Sequence, residues 1–134
     1  MEDSERSHIT HLYFRLEDNV VVPVRVEILK KLPTFEVLLL FASDEELERP
    51  IDVPGTSEAW IPCIRWVEYH LGMSPMSTVL TAWVIAFFRR HRANITAIIR
   101  LAHFAGLDSI LRYTDHLIRV GYLPQNWIAP TQLW

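Results

Sequence analysis

At 134 residues the chain has room for one domain with its own core, and 50% hydrophobic with 22% charged residues is a globular composition, not that of a disordered tail. Thirteen basic and 16 acidic side chains leave a formal charge of -3, so nothing draws the chain as a whole toward nucleic acid. The lone cysteine, Cys63, cannot form an internal disulfide, residues 1–10 read as a polar leader unlike a signal peptide, and the apolar run from Phe35 to Ala42 is too short for a bilayer. A soluble protein of the cytoplasm or nucleus is expected.

His11 to Leu16 and Val20 to Val26 are rich in β-branched and aromatic residues and are separated by the turn-like Glu17-Asp18-Asn19, which predicts a hairpin. Pro23 weakens the second strand or places it at an edge. Glu27 to Lys31 suits a short helix stopped by Pro33, and Thr34 opens a more apolar helix through Phe41. The acidic stretch Ser43 to Glu48 reads as an exposed loop. A third strand is expected at Ile51 to Val53, before a Pro54-Gly55 turn.

Thr56 or Ser57 then caps a helix to Leu71, with Pro62 in its first turns, Ile61, Ile64, Val67 and Leu71 as its buried stripe, and Trp60 and Trp66 left for a neighbouring layer. After a connection from Gly72 to Ser77, another helix starts near Val79. Trp83 and Phe87 lie one turn apart in it, and it gives way to the basic run Arg89, Arg90, His91, Arg92. Asn94 or Thr96 caps the next helix, whose apolar face is Ile95, Ile98, Ile99, Ala102 and Phe104 and whose stop is Gly106. Asp108 or Ser109 caps the last helix, Leu107 to Val120, ending at Gly121. Strands early and helices late make an α+β domain spanning residues 11–121.

Catalytic constellations are missing. The sequence holds no GxGxxG, no phosphate loop and no HExxH, and none of His8, His11, His70, His91, His103 and His116 sits at a ligand spacing beside cysteines. Cys63 reads as a buried structural thiol. The aromatics beside Arg89 and Arg90 come without an RNP box. No enzyme activity, metal, cofactor, small-molecule substrate or nucleic-acid partner is expected.

The stretch from Trp83 to Leu111, WVIAFFRRHRANITAIIRLAHFAGLDSIL, resembles the Skp family, the adaptors that join F-box proteins to cullin scaffolds in ubiquitin ligases. The resemblance includes the Trp83 to Phe87 spacing, the ungapped distance to Ile95, Ile99 and Ala102, and Ile110-Leu111. VEILK at Val26 to Lys30 and the proline-bounded, tryptophan-containing segment Pro50 to His70 extend it from about Leu12 to Ile118. It implies a BTB/POZ fold, as in elongin C, and an adaptor whose surface at His103 and Phe104 faces a cullin. Those positions match the Asn-Tyr of the family's Ala-Ala-Asn-Tyr-Leu-Asp signature, read here as LAHFAG. The ring is kept; the amide and the hydroxyl are not. The family's long acidic insertion is reduced here to Ser43 to Glu48.

The family's C-terminal helices are replaced by GYLPQNWIAPTQLW, interrupted by Pro124 and Pro130. Its apolar groups either fold back on the domain or meet a partner. The face implied for an F-box-type receptor is Ile110, Leu111, Thr114, Leu117 and Ile118, continued by Tyr122, Leu123, Trp127, Ile128 and Trp134 of the tail, residues 122–134. The alternative is a Skp-fold subunit that has lost cullin binding and serves another complex, as a heterodimer or homodimer.

Overall fold

The computed structural model describes residues 9–73 and 79–120, and among them the strands lie in the first half, interleaved with three short helices, and only helices follow, as an α+β domain. Strands β1 (His11–Arg15) and β2 (Val21–Arg25) form the expected hairpin, and β3 (Ile51–Asp52) joins β1 in parallel, giving the order β2-β1-β3. Pro23 sits opposite Tyr13 on β2, an edge strand, where a residue without an amide proton leaves no ladder partner unsatisfied. Alternation is clean. Leu12, Phe14, Val22 and Val24 point into the core, while His11, Tyr13, Val21 and Pro23 face outward.

The hairpin turn does more than reverse the chain. Asn19 takes a left-handed conformation at φ 64°, and the carboxylate of Asp18 accepts from the backbone N–H of Ser57 at 3.1 Å and from its hydroxyl at 2.6 Å. Ser57 begins a long helix, so a side chain distant in sequence caps it; Thr56, at the N-cap position, makes no side-chain cap. These hydrogen bonds hold the Asp18 carboxyl below the usual aspartate range.

Helices α1 (Val26–Leu29) and α2 (Pro33–Phe41) follow, with Pro33 in the first turn of α2, where its fixed φ suits helix entry. The expected acidic loop is instead a helix, α3 (Asp44–Glu48). Ser43 and Glu46 form a reciprocal capping box and Leu47 is buried, so local capping and one apolar anchor order a segment that charge alone suggested was loose.

Helix α4 (Ser57–His70) runs through the centre of the fold, and its buried stripe is Ala59, Trp60, Cys63, Trp66 and Val67. The stripe expected from Ile61, Ile64, Val67 and Leu71 is therefore rotated: Ile61 is exposed, and Ile64 and Leu71 are only half-buried. Both series satisfy helical periodicity. Burying the tryptophans removes more apolar surface from water, and that decides the rotation. Pro62 lies in the second turn, and it leaves the Glu58 carbonyl without its helical donor. Asn94 supplies one, its side-chain amide donating to that oxygen at 2.9 Å. Asn94 stands at an N-cap position but makes no cap there, since its side chain is committed to α4.

The remaining helices are α5 (Ala82–Arg90), α6 (Ile95–Ala105), entered through a 3-10 turn at Arg92–Asn94, and α7 (Asp108–Arg119). Helix α5 begins at Ala82, not near Val79, because the Thr81 hydroxyl accepts from the Val84 amide at 3.2 Å and caps it. Leu107 stands at the N-cap of α7; Ser109 accepts instead from the Trp66 indole at 2.9 Å.

Helix α4 joins two aromatic clusters. Trp60 meets Phe14 and Phe35 at 5.1 and 5.8 Å between ring centres, tying sheet to α2. Trp66 meets Phe87, Phe88 and Tyr113 at 5.0, 5.8 and 5.1 Å, tying α4 to α5 and α7. Phe87 is buried. Trp83 is half-buried, stacked flat on Tyr69 at 4.1 Å.

Candidate partner-binding surface

Six residues decide the shape of the LAHFAG segment at the end of α6. Leu101, Ala102 and Ala105 are buried, Gly106 closes the helix at φ 76°, and His103 with Phe104 projects outward. Phe104 thus lies off the buried face on which periodicity put it: its ring is 40% exposed and rests edge-on against Phe35 at 5.9 Å. The Thr34 hydroxyl donates to the Phe104 carbonyl, and a Cβ at Gly106 would come within 3.1 Å of Pro33. The end of α6 is therefore held against the start of α2, and His103 and Phe104 stand at that helix end.

The receptor face expected on α7 is a different matter. Ile110, Thr114 and Leu117 are 0%, 2% and 1% exposed, and the Thr114 hydroxyl donates back to the Ile110 carbonyl at 2.8 Å. These three belong to the domain's own core, although the resemblance implied a receptor face there. Leu111 and Ile118 are half-buried and remain at the margin of that helix. Tyr122, Leu123, Trp127, Ile128 and Trp134 lie outside the described residues, as does the whole tail.

Chemistry elsewhere is muted. Cys63 is 4% exposed, its sulfur lies 3.9 Å from the Ile98 carbonyl, and burial pushes the thiol up to about 12, so it is no thiolate nucleophile at neutral pH. Among the described residues no three His, Cys, Asp or Glu side chains converge to hold a metal ion, and no helix is long and apolar enough to cross a membrane. An open groove along α5 is lined by Ala82, Ile85, Ala86, Arg89 and Arg90.

His70 lies among Trp66, Tyr69, Trp83 and Tyr113, at the seam of α4, α5 and α7. Its Nδ1 donates to the Trp66 carbonyl at 2.7 Å, which fixes the neutral tautomer, while buried Nε2 has no partner among the described residues. Burial pushes its pKa below the usual histidine value, outweighing the bond to Trp66. Burial followed by Arg90 and Arg65 does the same to His91. The unfolded chain binds these protons more readily, so stability is full above about pH 6.5 and falls as the pH drops from there toward the lowered folded values. Urea midpoints at pH 7.5 and 5.5 are expected to differ less in His70→Gln than in the unmodified chain.

Sequence reasoning passed over the outward side of α2, where Val37, Leu40 and Phe41 are 58%, 52% and 79% exposed. A signal was present: Val37 to Phe41 is five apolar residues in succession, so the second half of α2 turns apolar side chains to water whichever way the helix is rotated.

No known protein-family model matches the chain, and no curated protein sequence matches it significantly.

Proposed function

We propose that the protein is a divergent Skp-like adaptor with a BTB/POZ fold, a binding domain that links an F-box-type receptor to a cullin scaffold. The observation that carries this reading is the LAHFAG helix end. Of its side chains only His103 and Phe104 turn outward, the two positions the resemblance assigns to the cullin face. The segments that carry the resemblance also fall in order on β1, α1, β3 with α4, and α5 through α7. Support for the receptor face narrows to Leu111, Ile118 and the tail, because Ile110, Thr114 and Leu117 are occupied internally.

Loss of the family's amide and hydroxyl favours a second reading, in which cullin binding is gone and another complex is served. A partner's polar groups facing Phe104 would be left unpaired, at about 1–3 kcal/mol each. His103→Asn combined with Phe104→Tyr is therefore expected to strengthen binding to a cullin N-terminal domain by tenfold or more, on the order of that penalty. Titration calorimetry decides it. Tight binding by the unmodified chain without gain in the double variant discards the weakening argument, and no binding by either chain favours the second reading.

A further inference from the structure

Helix α5 buries Val84, Phe87 and Phe88 and leaves on its opposite side an open groove of about 640 Å³, lined by Ala82, Ile85, Ala86, Arg89 and Arg90. Ile85 is half-buried and the other four are exposed. These positions recur at intervals of three and four residues, so the groove follows the helix axis. It is apolar over its first half and cationic at its end.

The cationic end extends beyond α5. His91 rests against the Phe87 ring at 4.8 Å, and after burial the charges that disfavour its proton are those of Arg90 and of Arg65 on α4, so the two arginines act on one place. Both are exposed and make no ion pair among the described residues. On the exposed side of α4 that bears Arg65, Glu68 is held by Arg25 at 3.3 Å, and Glu58 lies two turns away, roughly 10 Å along the axis. No acidic residue occurs in the sequence between Glu68 and Asp108. A chain of net charge -3 thus carries a local cationic end on an apolar groove, the complement of an acidic amphipathic segment and repellent to a basic one.

We propose that this groove receives an acidic amphipathic helix of a partner protein, with aliphatic side chains over Ala82, Ile85 and Ala86 and carboxylates against Arg65, Arg89 and Arg90. A helix is the occupant because a groove running lengthwise on one helix fits the lengthwise apolar stripe of another. When the pair runs antiparallel, the carboxylates fall in the partner's first turn, where its own dipole favours them. The nine residues of α5 give about 13 Å of contact, so the complex is small, weak and loosened by salt. This goes beyond the adaptor reading and does not depend on it, since the scaffold surface of that reading lies on α6.

Fluorescence anisotropy with the full chain tests it, using a labelled helical peptide of about 15 residues that has glutamates in its first turn and leucines at helical spacing after it. The expected Kd is about 10–100 µM at low salt, the range of a small contact. Arg65→Glu with Arg90→Glu is expected to raise it at least tenfold with unchanged melting, since both side chains are exposed. Ala86→Glu, at an exposed position on the groove floor, is expected to do the same by a different route. Lys30→Glu with Lys31→Glu makes an equal change in net charge at exposed positions outside the groove and is expected to leave the Kd within about twofold. No binding at about 1 mM peptide overturns the proposal, as does equal binding of a peptide with glutamine in place of glutamate. An equal loss in the lysine variant overturns it too, because net charge and not the groove would then set the affinity. A single-stranded oligonucleotide that binds more tightly than the peptide through the same arginines overturns it in favour of nucleic acid.

Discussion

Trp66→Ala is expected to lower stability by about 3–5 kcal/mol, the range for deleting a large aromatic from a packed core. Trp66 is fully buried, its ring contacts come from α4, α5 and α7 together, and its indole N–H is satisfied by Ser109. Collapse into the space is opposed on three sides, which places the cost high in that range. Thermal unfolding should shift down by about 12–20 °C, taking ~4 °C for each kcal/mol in a domain of this size. Trp66→Phe keeps most of the ring contacts and loses the hydrogen bond, so a fall of about 1–2 kcal/mol is expected. Denaturant midpoints for the two variants separate packing from the polar contact. Equal losses would show that the indole N–H, and not the ring, holds the helices together.

Gly106→Val is expected to be nearly as damaging, for a different reason. The left-handed backbone at φ 76° costs a residue with a Cβ about 1–2 kcal/mol. The new Cβ would also press on Pro33 at 3.1 Å, an overpacked contact of ~1–3 kcal/mol. Gly72→Ala is the control, since nothing lies within 4 Å of a Cβ there. Gly106 touches the start of α2 beside Phe104, so the substitution also displaces the candidate scaffold surface. Folded Gly106→Val protein should bind a cullin N-terminal domain less well than the unmodified chain if that surface is the one in use, whereas Gly72→Ala should not. Equal melting temperatures for the two variants would remove the argument from backbone conformation.

His103 and Phe104 were legible as a candidate site only through the resemblance, because nothing in periodicity tells an exposed aromatic from a buried one. Phe104 continues the apolar spacing of Ile95, Ile98 and Ala102 closely enough to be taken for core; the Phe35 ring and the Thr34 hydroxyl place it at the rim. Ile110, Thr114 and Leu117 show the converse error. The resemblance put them on a receptor face, and they are buried in the chain's own core.

What the sequence determined by itself is local. The hairpin, the edge position of Pro23, the helix stop at Gly106 and the order of strands before helices follow from backbone preferences and short-range periodicity, which act over one or two turns. The tertiary structure decided which of two apolar stripes on α4 goes inside, that Asp18 caps α4 from the hairpin, and that Asn94 serves the carbonyl freed by Pro62. It also decided that α2 keeps Val37, Leu40 and Phe41 at the surface. Each of these depends on a surface contributed by a distant part of the chain. A side chain's own type fixes what it can do, but whether it meets water, core or a hydrogen-bond partner is set by neighbours that only folding brings within reach.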